Sequence, residues 1–180
     1  LIQYIYGIAD NSLILGQRLG ELCGHGPSIE TDIALTNISL DLLGQTRSYY
    51  QYVAKLQGGD ANEDTVAFLR LEREYKSILL VEQPNTDFGY SIARQFLFDV
   101  FHLALLEELQ KSKDEMLAAI AKKSIKEVLY HTRFSSDWIK RLGDGTEESH
   151  NRIQTAINDL WIFTDELFHQ TDADKAMVTE

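Results

Sequence analysis

The chain has 180 residues, of which 44% are hydrophobic and 25% charged, enough for one well-formed hydrophobic core and therefore for one domain, residues 1–180. A formal net charge of -11 argues against binding to nucleic acid or to an anionic membrane, because both require a basic surface. The single cysteine excludes an internal disulfide and is typical of a cytoplasmic protein, and no apolar segment approaches the length of a membrane span.

Apolar residues at helical spacing, interrupted by clusters of glycine and proline, predict six helices. These run from about Tyr4 to Cys23, from Ser28 to Leu56, from Glu63 to Val81, from Asp87 to Lys111, from Asp114 to Leu142, and from Thr146 through Phe168. No segment shows the alternation that is typical of strands. The sequence therefore predicts an all-α fold, a four-helix bundle of the long helices with two accessory helices.

Each long helix carries polar or small residues at steps of three and four, where a core helix would have apolar ones. The first helix has Asp10, Gln17 and Glu21, the second Asn37, Asp41 and Gly44, the fourth Gln95, Asp99 and His102, and the fifth Ser124, Glu127 and either Tyr130 or His131. This pattern predicts a polar cluster inside the bundle. Buried carboxylates need an ion pair, hydrogen bonds or a metal ion, so something must satisfy them.

The predicted cluster nearly matches the ligands of a carboxylate-bridged di-iron centre. Such a centre takes a Glu from each of two helices and a Glu-x-x-His step from each of the other two. The second helix offers Asp41-x-x-Gly44 and the fifth offers Glu127-x-x-Tyr130, so both histidines are missing at that spacing. Gln17 stands where a carboxylate would be expected. The pattern therefore indicates a di-iron layout with a degraded ligand set.

Two histidines leave an alternative open. His131 is one residue away from the expected position, and Asp99-x-x-His102 has the right spacing but lies on the wrong helix. Either a network of protein groups satisfies the carboxylates, or a metal ion binds in an unusual register. The second possibility would use Asp41, Asp99, His102, Glu127 and His131.

Five segments carry a family resemblance. They are Ser12–Glu21 (SLILGQRLGE), Leu40–Gln45 (LDLLGQ), Leu80–Asn85 (LVEQPN), Ile125–His131 (IKEVLYH) and Arg141–Thr146 (RLGDGT). In this order they resemble the C subunits of the bacterial phenylacetyl-CoA oxygenases, also called 1,2-phenylacetyl-CoA epoxidases, over nearly the whole chain. The resemblance implies a ferritin-like bundle, and it implies that family members continue beyond residue 180.

The same resemblance implies a function. The multicomponent oxygenase converts phenylacetyl-CoA to its ring 1,2-epoxide in aerobic phenylacetate breakdown, and the related A subunit holds the di-iron centre and binds the substrate. The C subunit is implied to be a structural partner in a hetero-oligomer, with no metal, cofactor or catalytic residue of its own. On that reading Asp41, Asp99 and Glu127 are remnants of a metal site.

Three functions therefore stand beside one another. The chain is expected to be a non-catalytic subunit that packs against the A subunit and the other subunits of the complex. It would alternatively be a di-iron oxygenase subunit with its own site, or a helical module that binds an acyl-CoA or a partner protein. Candidate anchors for a partner are the aromatic residues Tyr49, Tyr50, Tyr52, Phe96, Phe101, Trp138 and Trp161, because interfaces favour such side chains.

Overall fold

The computed structural model describes residues 1–179, which contain helices and no strand. Helix α1 covers Ile2–Gly20, α2 Ile29–Gln57, α3 Glu63–Phe68, α4 Leu79–Glu82, α5 Phe88–Leu109, α6 Glu115–Gly143, α7 Glu147–Trp161 and α8 Asp172–Thr179, and short 3-10 helices lie at Glu72–Glu74 and Asp165–Phe168. The all-α prediction is confirmed. None of these helices combines the length and the apolar character that crossing a bilayer requires.

The long helices begin and end at residues whose chemistry explains the boundary. A side-chain oxygen of the preceding residue accepts a backbone N–H from the first turn of α2, α5, α6 and α7, where the capping residues are Ser28, Asp87, Asp114 and Thr146. Gly58 ends α2 with a φ of 73°, which residues with a side chain rarely adopt. These four helices begin within one residue of the starts that the sequence predicted.

Helices α1 and α2 form an antiparallel pair. The Ser39 hydroxyl donates to the Gly16 carbonyl at 2.6 Å, and the Thr46 hydroxyl donates to the Ala9 carbonyl at 3.3 Å. The later residue on α2 thus contacts the earlier residue on α1, as antiparallel packing requires. Small residues at these contacts let the two backbones approach closely.

Helix α2 also lies antiparallel to α6, because two side-chain pairs join them in opposite order. Asp41 pairs with His131, and Gln45, one turn further along α2, pairs with Glu127, one turn back along α6. Helix α5 reaches α6 through the short connection at residues 110–114 and packs beside it. It therefore runs antiparallel to α6 as well.

These directions make α2 and α5 parallel, so residues 58–87 must cross from one end of the bundle to the other. A four-helix bundle of two antiparallel pairs with one long crossover has the ferritin-like topology. The crossover contains α3, a 3-10 helix and α4. The fold is therefore all-α and ferritin-like, with the crossover and the C-terminal helices as additions to the four long helices.

Two predicted helices are wrong in extent. Residues 63–81 do not form one helix, because α3 ends at Phe68 and α4 begins only at Leu79. The last predicted helix ends at Trp161, and a separate 3-10 helix follows at Asp165–Phe168. Helix α1 also ends at Gly20, about one turn before its predicted end.

The crossover leaves helical geometry because α1 offers its backbone better partners. The backbone N–H of Lys76 donates to an Asp10 carboxylate oxygen at 2.7 Å, and that of Ile78 donates to the Asn11 side-chain oxygen at 2.8 Å. Both acceptors are buried on α1. Intrahelical hydrogen bonds would have left the Asn11 oxygen without this donor and Asp10 with one donor fewer, so the tertiary contact overrides local helix propensity.

The Asp10 carboxylate is the centre of this contact. The Arg70 guanidinium donates to both of its oxygens, at 2.9 and 2.7 Å, and the Tyr50 hydroxyl donates to one of them at 2.5 Å. The guanidinium also lies 4.2 Å from the ring centroids of Tyr6 and Tyr75. A fully buried charge is thus matched by a cation, a hydroxyl and an amide.

The apolar core divides into two clusters along the bundle. One cluster contains the first part of α1, the second part of α2, the end of α5 and the first half of α6, and the other contains the remaining halves with α4 and α7. Between them lies a layer of buried polar side chains at mid-length of all four long helices. The layer comprises Asp10, Asn11, Ser12, Gln45, Thr46, Asp99, His102 and His131.

The first prediction concerns the buried ion pair. Asp10→Asn is expected to lower the free energy of unfolding by about 3 kcal/mol, because it leaves the Arg70 guanidinium, which is only 10% exposed, without its counter-charge. Urea unfolding followed by circular dichroism measures the change. Asp60→Asn, at an exposed position, is the matched control and should change stability by less than about 0.5 kcal/mol. Equal stability of the two variants would contradict the importance of the pair.

Candidate functional site

Asp99 on α5 is the most deeply buried carboxyl group of the polar layer near α6. It is 1% exposed, and protein groups satisfy both of its oxygens. The Gln95 amide donates to Oδ1 at 2.6 Å, and the Ser135 hydroxyl on α6 donates to Oδ2 at 2.8 Å. Asp99 therefore joins α5 to α6 without needing any bound group.

Burial raises the pKa of Asp99 to about 8, although the hydrogen bonds from Ser135 and Gln95 work in the opposite direction. The carboxyl group is consequently protonated at neutral pH. A neutral acid carries no charge toward a cation and has one hydrogen-bond donor of its own. Its electrostatic character differs from that of an ionised metal ligand.

His102 lies one turn along α5 from Asp99 and is also buried. Burial lowers the pKa of His102 to about 3, and the nearby His131 adds to that shift. The imidazole packs against the Phe98 ring, with the two centroids 5.0 Å apart. His102 is therefore a neutral ring within an aromatic environment at all physiological pH values.

The pairs between α2 and α6 form the outer part of the site. The His131 Nε2 atom lies 3.0 Å from Asp41 Oδ2, and the Gln45 amide donates to Glu127 Oε2 at 2.9 Å. Burial lowers the pKa of His131, against the opposing effect of Asp41. Burial raises the pKa of Glu127, which the hydrogen bond from Gln45 partly offsets. His131 is thus neutral and donates its Nε2 proton to Asp41.

The structure does not bring all of the predicted residues together. Gln17 is exposed, so its predicted inward position is wrong. Tyr130 is 49% exposed and Gly44 is also exposed, so neither residue reaches the interior at the position of a missing histidine. Of Tyr130 and His131, which the helical steps left undecided, His131 faces the interior. Asp41 is only partly buried, with 38% of its side chain exposed at the α2–α6 boundary.

The arrangement does not fit a di-iron centre. Among the described residues, no three side chains of His, Cys, Asp or Glu are placed so that they could hold one metal ion. Helix α1 contributes no ligand, because its buried carboxylate, Asp10, binds Arg70. The carboxyl groups of α2, α5 and α6 each have a protein partner instead. The polar layer therefore resembles a metal site in its position but not in its chemistry.

Two residues that the sequence did not single out complete the site. Ser135 lies one turn after His131 on the buried face of α6, and Gln45 lies one turn after Asp41 on α2. Both positions follow the i, i+4 rule from residues that the sequence had identified. Extending each step by one turn would have found them, but only the structure shows which carboxyl group each one binds.

The second prediction concerns pH. The folded pKa of Asp99 is about 8, whereas an unfolded aspartate has a pKa of about 3.9. Its contribution to stability is present at low pH and is lost as the pH rises through about 8, because the folded state binds the extra proton. The contribution of His102 to the pH dependence of stability has the opposite sign, because folding lowers its pKa to about 3 from about 6.5 in the unfolded chain. The two effects oppose each other between about pH 4 and 6.5, and only that of Asp99 remains above this range.

Asp99→Asn is therefore expected to remove most of the decrease in stability that the parent protein shows from about pH 6.5 to 8, a slope of up to about 1.4 kcal/mol per pH unit. Chemical unfolding of both proteins at several pH values in this range measures the difference. Asp144→Asn, at an exposed position, is the control and should keep the parent slope. Parallel curves for the parent and Asp99→Asn would show that Asp99 is ionised when folded.

The chain is similar to proteins of a known family along its whole length. A profile of the family described as Phenylacetic acid catabolic protein matches residues 1–180. The chain is 52% identical over 180 residues to the C subunit of the 1,2-phenylacetyl-CoA epoxidase of Escherichia coli (strain K12), and the aligned region covers 100% of this chain and 72% of that protein. The resemblance seen in the five sequence segments is thus confirmed over residues 1–180. The chain belongs to the phenylacetic acid catabolic protein family.

Proposed function

We propose that the chain is a structural, non-catalytic subunit of a cytoplasmic phenylacetyl-CoA 1,2-epoxidase, and that it supports a related catalytic A subunit that carries the di-iron centre. The similarity to the C subunit of the E. coli enzyme supports the assignment to this complex. The state of the polar layer supports the non-catalytic role. The enzyme then acts in aerobic phenylacetate breakdown as a hetero-oligomer.

The observation that carries the non-catalytic role is the pairing of each candidate carboxyl group, those of Asp41, Asp99 and Glu127, with a protein group. Asp99 is neutral and held by Ser135 and Gln95, so a cation would have to remove a proton and break two hydrogen bonds to bind it. Binding at the α2–α6 boundary would have to break the Asp41–His131 pair. Each loss leaves a buried polar group unsatisfied, which costs about 1–3 kcal/mol.

The chemistry of the reaction explains why such a subunit needs a partner. Ring epoxidation places one oxygen atom of O₂ on the aromatic ring and reduces the other to water, which consumes two electrons and two protons. The side chains of the polar layer offer no redox group for these electrons. Around Asp99, a neutral carboxyl group, neutral imidazoles and amides are held by packing and hydrogen bonds instead. The proposed contribution of this chain is to hold the catalytic subunit in its active form.

One observation favours a second candidate, a subunit with its own metal site. Asp41, Glu127 and His131 lie on the same part of the α2–α6 boundary, and His102 is near His131. Rotation of these side chains would bring carboxylate and imidazole donors closer together. Iron and manganese accept both kinds of ligand. This candidate makes an opposite prediction about metal content.

The third prediction separates the two candidates. The purified chain, loaded with Fe²⁺ or Mn²⁺ without oxygen and then desalted, is expected to retain much less than one metal ion per chain. Glu127→Gln should retain the same small amount, because the residue is expected to be a hydrogen-bond acceptor and not a ligand. Elemental analysis measures both. Close to two ions per chain, with a large loss in Glu127→Gln, would favour the oxygenase subunit instead.

A reconstituted enzyme tests the structural role directly. Omission of this chain should lower the rate of phenylacetyl-CoA epoxidation by at least about tenfold, which corresponds to about 1.4 kcal/mol of transition-state stabilisation. The Asp99→Asn variant should restore the activity, since Asp99 is already neutral in the parent protein. Full activity in the absence of the chain would contradict the proposed role.

A further inference from the structure

Helix α6 carries an exposed basic stripe. Six of the seventeen lysine and arginine residues of the chain lie on this one helix, at Lys122, Lys123, Lys126, Arg133, Lys140 and Arg141. All six are exposed. The structure thus places about a third of the basic residues on one helix of a chain with a net charge of -11.

The central cations of this stripe have no partner in the described part of the chain. Lys126, Arg133 and Lys140 form no ion pair there, and Lys55 and Arg73 elsewhere form none either, whereas Arg47, Arg70 and Arg152 are paired with carboxylates. Steps of seven residues place these three α6 side chains on nearly the same side of the helix. The stripe also contains one acidic residue, Asp137, which is exposed.

An exposed apolar stripe lies on the neighbouring helix. Ile33 and Leu40 on α2 are 55% and 60% exposed and are separated by two helical turns. The antiparallel pairing of α2 and α6 puts Leu40 at about the level of Arg133 along the bundle. Tyr130 on α6, which is 49% exposed and stacks on Phe134, lies at the boundary between the two stripes.

We propose that the α2–α6 face, defined by Ile33, Leu40, Lys126, Tyr130, Arg133 and Lys140, docks a protein surface that presents carboxylates beside an apolar patch. The identity of that partner as the catalytic subunit rests on the function proposed above. The apolar stripe supplies the area that leaves water, and the unpaired cations select an acidic partner and orient it.

The composition of the face favours a protein over a nucleic acid. A phosphate backbone binds cations but gains nothing from Ile33 and Leu40, whose exposed apolar surface would remain in water. The large negative charge of the whole chain also repels a polyanion. An acidic protein patch with an apolar centre would place carboxylates against the basic stripe and bury the apolar stripe.

This surface differs from the aromatic anchors that the sequence predicted. Tyr49 and Tyr50 are buried in the core and cannot contact a partner. Trp161 is 61% exposed but lies at the end of α7, away from α2. Tyr130, which is exposed on α6 next to the α2–α6 pairs, lies beside both stripes.

The test measures binding of the purified catalytic subunit to variants of this chain. Lys126→Glu combined with Arg133→Glu should raise Kd about tenfold at low ionic strength, with a smaller effect at high salt. Lys55→Glu combined with Arg73→Glu makes the same change of net charge at exposed positions elsewhere and should bind like the parent. Circular dichroism and thermal unfolding confirm that both variants are folded.

A second pair of variants tests the apolar stripe. Leu40→Ser should weaken binding at both salt concentrations, whereas Ile162→Ser, a change at a position that is 74% exposed after α7, should not.

Equal effects of each variant and its control would overturn the assignment of this face while leaving the proposed function intact. Failure of the parent protein to bind the catalytic subunit would overturn both. Salt-sensitive binding of duplex DNA, lost with Lys126→Glu and Arg133→Glu, would assign the basic stripe to nucleic acid instead.

Discussion

A carboxylate with no access to solvent, Asp10, determines how the two halves of the bundle are joined. An unpaired charge at that position would cost several kcal/mol, so the fold must bring a cation to it. Arg70 is that cation, and it lies in the segment that crosses between the parallel helices α2 and α5. The same carboxylate also accepts the backbone N–H of Lys76. The long crossover is consequently fixed to α1 by charge and hydrogen bonding, and its short helices follow from that attachment.

In the polar layer, protein groups satisfy the buried carboxyl groups. Burial alone makes Asp99 neutral, and a serine and a glutamine provide the donors that its oxygens need. The two histidines are neutral for the same reason, because burial disfavours the charged imidazole. Around Asp99 and the two histidines, the layer therefore consists of uncharged hydrogen-bonding groups, whereas the charge of Asp10 is matched by Arg70. It still joins α2, α5 and α6 at mid-length, where a metal centre would otherwise join them.

The helical steps in the sequence were sufficient for the fold class, the approximate starts of α2, α5, α6 and α7, and the inward positions of Asp99 and His102. They were insufficient where burial depends on a distant segment. Asp10 and Gln17 are two turns apart on the same side of α1, so a periodic pattern assigns them the same environment. Only Asp10 is covered by the crossover, whereas Gln17 faces solvent. Similarly, local propensity predicted one helix for residues 63–81, because it contains no information about the acceptors on α1.

The paired side chains at the α2–α6 boundary give the polar residues there a structural role, which is to fix how the two helices align. Buried polar pairs specify the register of two packed helices more sharply than apolar contacts alone. The Asp41–His131 and Gln45–Glu127 pairs are satisfied in one register only, since a shift of one turn would separate both pairs. That register also sets the apolar stripe of α2 against the basic stripe of α6. The polar pairs therefore keep the two stripes aligned, and the proposed docking of a partner depends on that alignment.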